Sequence, residues 1–293
     1  MAYLGAWLSR TPVLLRTESH LMRSRPATTE FAKSVILRAL FRFTAAFLAI
    51  GEANTRFYEY YGLPPEKMFW TPYCVDNEYL ISEQQRLARD REAIRQEIGI
   101  SPGRSVIIYS GKLIERKRVE DLLQAVKLLS PKSQVAELLI LGDGPRRALL
   151  IGLADSLDLR VRFVGFQNQS QLARYYVCGD VFVLPSSYET WGLVVNEAMA
   201  FGMPIVTTSV VGAGVDLVTP GITGYTYEPG DCAALAACLD PLLKDAEARR
   251  RMGEAALRRV GPYNLDECVK GVLAALQFVS AGQQRRVPQN AAG

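Results

Sequence analysis

Two glutamates eight residues apart, Glu189 and Glu197, stand in the segment SSYETWGLVVNEAMAFGMP at 186–204, just after an apolar run at 181–184. Ionised carboxylates only accept hydrogen bonds, so they repel phosphate and suit neutral hydroxyls such as those of a sugar or ribose. Spacing alone leaves a second reading standing, in which Glu189 caps a helix opening near Gly192 and Glu197 is an ordinary charged helix residue. A cationic group completes the chemistry: Lys112, Arg116, Lys117 and Arg118 in GKLIERKRVEDLLQAV at 111–126. Basic side chains at a helix start oppose its dipole unless they answer an anion, and a diphosphate would supply that charge. The alternative is a solvated turn in which the cations pair with Glu115 and Glu120.

These residues need a scaffold, and the pattern from 105 onward supplies one. Short runs rich in Val, Ile and Leu recur at 106–109, 136–141, 161–164, 181–184, 204–208 and, more weakly, 224–227. Helix-period stretches lie between most of them, at 119–129, 146–155, 170–178, 194–201 and 233–243. Continuous apolar strands alternating with helices predict an α/β fold with a parallel sheet covered on both faces, a Rossmann-like domain. In such sheets ligands sit beyond the carboxyl ends of the strands, where Glu189 and the cationic turn fall.

The earlier part reads differently: a strand at 11–16, a basic amphipathic helix at 29–43, a strand at 47–50, a helix at 55–61, a turn at 63–66, a short strand at 68–71 and one charged helix at 81–98. The expected organisation is a partial α/β lobe at 1–80, a hinge and linker helix at 81–104, the Rossmann-like domain at 105–262, a closing helix at 263–281 and a disordered polar tail at 282–293.

Several function classes are excluded. LGDGPRRALL at 141–150 has Arg147 where a dinucleotide fingerprint needs its third glycine, so its turn reads as structural. The chain has no phosphate-binding G-x-x-x-x-G-K-[ST] loop and no G-x-S-x-G elbow, which removes support for ATPase and α/β-hydrolase readings. A net charge of +4 from 34 basic and 30 acidic residues is too mild and dispersed for a nucleic-acid partner. Five scattered cysteines and one histidine form no zinc-type cluster; free thiols in a reducing, cytoplasmic compartment are expected. No apolar run approaches the roughly 18 residues of a membrane helix, and MAYLGAWLSR lacks the basic leading segment of a secretory signal, so it reads as mature sequence. Peripheral contact with the inner face of a membrane stays open through Lys33, Arg38 and Arg42, which share a helix with Phe31, Leu37, Leu40 and Phe41, although packing into the core is the alternative.

Taken together and in order, GKLIERKRVEDLL, LLILGDGP, VRFVGF, DVFVLPSSYETWGLVVNEAMAFGMPIV and VGAGVDLVTPGITGYTYEPGD resemble the donor-binding half of glycosyltransferase family 4, retaining enzymes of GT-B fold, across roughly 105–262. Glu189 and Glu197 fall on that family's E-x7-E pattern. The resemblance implies transfer of a sugar from a nucleotide diphosphate donor to an acceptor hydroxyl of a glycan or lipid-linked acceptor, with anomeric configuration retained and no metal or other cofactor. It implies that Glu189 meets the transferred sugar, Glu197 the ribose, and Lys112 and Lys117 the diphosphate, with the amides of Trp191, Gly192 and Leu193 completing the phosphate cradle. Val164 and Phe166 would flank the base. Lys112 replaces the family's usual arginine and loses its two-pronged geometry.

The family also carries a His or acidic residue near the sugar just after an early strand, and PVLLRTESH offers Glu18, at the usual position, and His20 for that catalytic place, with a merely exposed turn as the alternative. No glycine-rich loop precedes it here, so the chain reads as beginning midway through the first lobe. A surface-polysaccharide or glycolipid transferase is the expected function; a truncated nucleotide-sugar-binding fragment and a GT-B nucleotide-sugar epimerase are the alternatives.

Overall fold

In the computed structural model, which describes residues 2–22, 26–129, 133 and 136–284, the chain divides into two units: Met1–Cys74 with Tyr263–Gly293, and Val75–Pro262. The first contains α1 (Ala2–Leu8), β1 (Val13–Arg16), α2 (Ala27–Arg42), β2 (Thr44–Ala49), α3 (Glu52–Tyr60) and β3 (Met68–Trp70). Its parallel sheet runs β1-β2-β3. Successive residues of β2 point to opposite faces. Phe47 and Ala49 join Phe41, Phe57, Tyr58 and Tyr61 on one side, with Phe47 edge-on to Phe41 at 5.1 Å and to Tyr58 at 5.2 Å between ring centres. Ala46 and Leu48 face the other way, against Ala275 and Val279.

The second unit begins with α4 (Asn77–Ala88) and α5 (Arg91–Ile98), where the sequence predicts one helix. The chain breaks at Arg89 and Asp90, and α5 ends on Gly99 in the left-handed conformation, φ +83°. There follow β4 (Val106–Ser110), α6 (Val119–Leu128), β5 (Glu137–Leu141), α7 (Arg147–Ser156), β6 (Val161–Gly165), α8 (Gln169–Tyr176), β7 (Val181–Leu184), α9 (Leu193–Ala200), β8 (Ile205–Thr208), α10 (Gly212–Leu217), β9 (Gly224–Tyr227), α11 (Cys232–Lys244) and α12 (Ala246–Val260). The six strands are parallel, in the order β6-β5-β4-β7-β8-β9. This is the Rossmann-like α/β arrangement expected, with its strand order reversing between β4 and β7. Strands β4, β5, β7 and β8 are buried along their whole length, in keeping with runs that are mostly Val, Ile and Leu, with Ser110, Glu137, Thr207 and Thr208 as buried polar residues at their ends.

Two features depart from the sequence-based organisation. Helices α4 and α5, expected in a hinge at 81–104, belong to the second unit, because Arg91 and Arg95 are tied into it. Both guanidinium groups reach Asp180 just before β7, at 2.8 and 2.7 Å. The same carboxylate accepts from the Val106 amide at 2.7 Å, so it links α5, β4 and β7. The closing helix α13 (Leu265–Gln284) runs past 281 and packs on β2 and β3, part of the first unit. The rest of the expected tail, 285–293, lies outside the described residues.

Candidate active site

The site is built at the carboxyl ends of β4, β5 and β6. Beyond β4 and β5 the chain turns twice in close contact: the Gly111 amide donates to the Leu141 carbonyl and the Leu113 amide to the Asp143 carbonyl, both at 2.9 Å. Gly142 makes this possible. At φ +138°, any Cβ there would lie 1.9 Å from the Gly111 carbonyl oxygen. The glycines of LGDGP therefore serve loop packing, which is why the motif lacks the dinucleotide spacing.

Above these turns opens a cleft of about 480 Å³ lined by Ser110, Lys112, Asp143, Phe166, Gln167 and Glu197, among others. Glu197 arrives from α9, whose residue Val194 also lines the cleft. Its Oε2 accepts a hydrogen bond from the Tyr176 hydroxyl at 2.9 Å. Burial raises the Glu197 carboxyl above its ordinary value, and the Tyr176 bond opposes that rise. Phe166 is 77% exposed at the end of β6, a large apolar ring open to solvent at the edge of the cleft.

Glu189 lies in the loop between β7 and α9 and is only 8% exposed. Its carboxylate meets Lys117 Nζ at 2.5 Å and an Arg116 guanidinium nitrogen at 3.5 Å. The Arg116 guanidinium also donates to the Tyr188 carbonyl at 2.7 Å, while the Arg116 carbonyl accepts from the Ser187 amide at 2.8 Å. Cationic turn and acidic loop are thus locked together from both sides. The pair borders the cleft, since Lys117 Cε lies 3.7 Å from the Cβ position of Gly111. Arg118 is turned away from this group: it pairs with Asp121 of its own helix through two contacts, at 2.5 and 2.9 Å. That pairing follows the helix dipole, with an acid in the first turn holding the base before it.

The remaining donor-side candidates take separate places. Trp191 is buried, its indole donating to Asn196 Oδ1 at 2.8 Å and its carbonyl accepting from the Ala213 amide at 3.0 Å. Gly192 holds φ +104°, a left-handed turn that starts α9, and Leu193 is the first helical residue. Their amides belong to a helix N-terminus, whose first N–H groups have no partner within the helix. Val164 is a partly buried β6 residue absent from the cleft lining; its carbonyl accepts from Gln167 Nε2 at 2.8 Å.

Glu18 and His20 lie in the first unit, on the loop after β1. The Glu18 carboxylate accepts from the Tyr73 hydroxyl, and burial together with this bond pushes the Tyr73 phenol up to about 12. His20 is 6% exposed and its Nδ1 accepts from the Met22 amide at 3.3 Å. Asn54 fixes the loop, donating to the Ser19 carbonyl at 2.8 Å and accepting from the Ile50 amide at 3.2 Å.

Sequence reasoning missed Ser110, Asp143, Gln167 and Tyr176. The first three carried a signal, since each sits within two residues of a strand's carboxyl end. Tyr176 carried none, because its spacing on α8 reads as core.

The chain resembles known proteins in sequence and in fold. The family profile described as glycosyl transferases group 1 matches residues 90–259. The chain is 34% identical over 180 residues to N-acetyl-alpha-D-glucosaminyl L-malate synthase of Bacillus anthracis, covering 61% of this chain and 47% of that enzyme. It is 28% identical over 263 residues to alpha-D-kanosaminyltransferase of Streptomyces kanamyceticus, covering 87% and 67%. Anabaena Alr3699/HepE, solved in complex with UDP, superposes with a TM-score of 0.78 at 20% identity over 94% of this chain and 75% of its own. WaaG, a glycosyltransferase involved in lipopolysaccharide biosynthesis, gives 0.67 at 19% identity over 96% and 82%. These likenesses establish the GT-B fold, and with a profile that spans more than half of the sequence the chain belongs to the glycosyl transferases group 1.

Proposed function

We propose that this glycosyltransferase moves a sugar from a nucleoside diphosphate donor to an acceptor hydroxyl with retention of anomeric configuration, in surface polysaccharide or glycolipid assembly. The observation that carries the reading is the cleft at the carboxyl ends of β4 to β6, which gathers Lys112, Phe166 and Glu197 beside the Glu189–Lys117 pair. Glu197, charged and partly buried, suits ribose hydroxyls, and Phe166 offers an apolar face to the base. Lys112, Lys117 and the amides from Trp191 to Leu193 suit the diphosphate, whose negative charge grows as the sugar leaves. Fixed cations and helix amides can stabilise that charge, so a metal is not required. Lys117 then exchanges part of its pairing with Glu189 for phosphate, which frees Glu189 towards the sugar. Glu18 and His20 are assigned to the acceptor side. UDP in the Anabaena protein supports a uridine donor, and guanosine diphosphate is the other candidate.

Titration of the full chain with nucleoside diphosphates, with and without a chelator, tests the binding half; binding that collapses in chelator contradicts the metal-free reading. Turnover of donor that survives Glu189→Ala contradicts the catalytic assignment. Free sugar released without any acceptor would instead indicate the epimerase.

A cytoplasmic protein resting on an anionic membrane face is the second element of this proposal. Helix α2 leaves Phe31, Val35 and Ile36 more than half exposed beside exposed Arg38 and Arg42, a mixed apolar and basic surface suited to lipid headgroups. Lys33 is otherwise engaged, 3.6 Å from Glu30 and 5.0 Å from the Phe57 ring centre. Among the described residues no helix is long and apolar enough to cross a membrane. Arg38→Glu with Arg42→Glu should abolish sedimentation with phosphatidylglycerol vesicles while the fold persists.

A further inference from the structure

Tyr176 closes α8 beneath the cleft, and its side chain is fully enclosed. Its ring is stacked between Phe182 of β7 and Phe201 at the end of α9, at 6.2 and 5.4 Å between centres with tilts of 21° and 30°. A ring sandwiched this way cannot swing, so its hydroxyl has one place to be. That place is 2.9 Å from Glu197 Oε2. Burial raises the Tyr176 phenol, and the Ser110 hydroxyl, at the end of β4, lowers it. The residue that closes α8 thus fastens one carboxylate oxygen of α9, with Ser110 of β4 acting on the same phenol.

We propose that Tyr176 is a positioning residue for nucleotide binding: its hydroxyl occupies one oxygen of Glu197 and leaves the other aimed at the donor's ribose. The proposal rests on the reading of Glu197 as the ribose acceptor. A phenol is the appropriate partner for this task. A lysine or arginine would neutralise Glu197 and compete with the ribose, whereas a neutral donor keeps the carboxylate charged and still accepting. Burial alone would favour the protonated acid, which accepts poorly, and the Tyr176 bond counters it. The other ionisable groups on elements packed against α9 include Lys112 and Asp143 in the cleft, Tyr109 beneath it, Asp216 of α10, Glu78, Glu83 and Arg86 of α4, and Glu247, Arg249, Arg250, Arg251, Glu254, Arg258 and Arg259 of α12.

The test is calorimetric binding of UDP or GDP, whichever the wild type holds more tightly, against its 2′,3′-dideoxy analogue, over a pH series from about 5 to 8. Tyr176→Phe keeps the stacked ring and removes only the hydroxyl. It should weaken the natural nucleotide about tenfold, the scale of one charge-assisted hydrogen bond, and leave the dideoxy analogue unaffected. Loss of the hydroxyl lets the Glu197 pKa rise further above 4.5, so binding of the natural nucleotide should fail at a higher pH in the variant than in the wild type as acid is added. Ser110→Ala, which leaves ring and phenol in place, should move the midpoint in the same direction by less and covers the case in which Tyr176→Phe does not fold. A variant that binds both nucleotides more weakly by the same factor, with the wild-type midpoint, overturns the role of Tyr176 while the ribose assignment stands. A wild type that does not distinguish the two nucleotides overturns both.

Discussion

The two units use the same parallel α/β construction but satisfy their buried polar groups in different ways. In the six-stranded unit two buried carboxylates are held by cations, Asp180 by Arg91 and Arg95 and Glu189 by Lys117 and Arg116, while Glu197 takes the neutral Tyr176 hydroxyl. In the three-stranded unit the loop that carries Glu18 and His20 is held by neutral groups, namely Asn54, Tyr58 and Tyr73. Removing one member of a buried ion pair leaves an uncompensated charge, whereas removing a neutral donor leaves at most an unsatisfied dipole. The first unit should therefore tolerate local change around its loop, and the second should resist it steeply.

Asp180 gives the largest expected effect. Asp180→Ala removes the buried counter-charge of the Arg95 guanidinium, whose side chain is 7% exposed, and should lower the stability read by urea unfolding by about 3 to 5 kcal/mol. Burial raises this carboxyl, but Arg95, Arg91 and Arg249 outweigh it and hold its pKa below 3.8. A depressed folded value means that the contribution is complete above 3.8 and is lost as the pH falls through the lower folded value. Denaturation midpoints followed into acid should show that loss in the wild type and not in the variant.

Glu189→Gln comes next, at about 2 to 3 kcal/mol, because Lys117 is buried while Arg116 is open enough to regain water. Asn54→Ala should cost about 1 to 3 kcal/mol and raise proteolysis at 17–20, without unfolding the six-stranded unit. Tyr73→Phe should cost no more than about 1 kcal/mol. The Tyr73 phenol is raised from 10.0 to about 12, so its bond to Glu18 is at full strength below 10 and lost as the pH rises through 12. Ultraviolet titration should lose one late-ionising tyrosine in the variant. If Asn54→Ala proved costlier than Asp180→Ala, the contrast between charged and neutral fastening would be broken.

What could be read from the sequence follows the same division. Strands β4, β5, β7 and β8 were legible because burial on both faces favours runs of mostly apolar residues, and the segment around Glu189 and Glu197 was legible because it follows one of them. Helix α12 was missed: it is rich in arginine and buries only Gly253, Ala256 and Val260, too sparse a stripe for a periodic signal. Helix α10 was missed because six residues, two of them glycine, resemble a loop. The Asp180 network was invisible for another reason. Its partners Arg91 and Arg95 lie 89 and 85 residues away in the chain, and no spacing rule reaches across that distance. The cationic turn was read as one cluster, yet Arg118 answers its own helix while Arg116 and Lys117 face Glu189, a choice made by backbone direction that composition does not encode.

Helix α13 has a consequence for how the molecule is made. It follows 75–262 in the sequence but completes the first unit, with Gly271 pressed so close that a Cβ would lie 1.7 Å from the Trp70 carbonyl oxygen. During synthesis the N-terminal sheet must wait, one face uncovered, while the whole of 75–262 emerges and folds ahead of it. Maturation thus runs opposite to translation. Ribosome-bound chains stalled before Leu265 should resist protease across 75–262 and yield within 1–74, and chains released beyond Gln284 should resist in both.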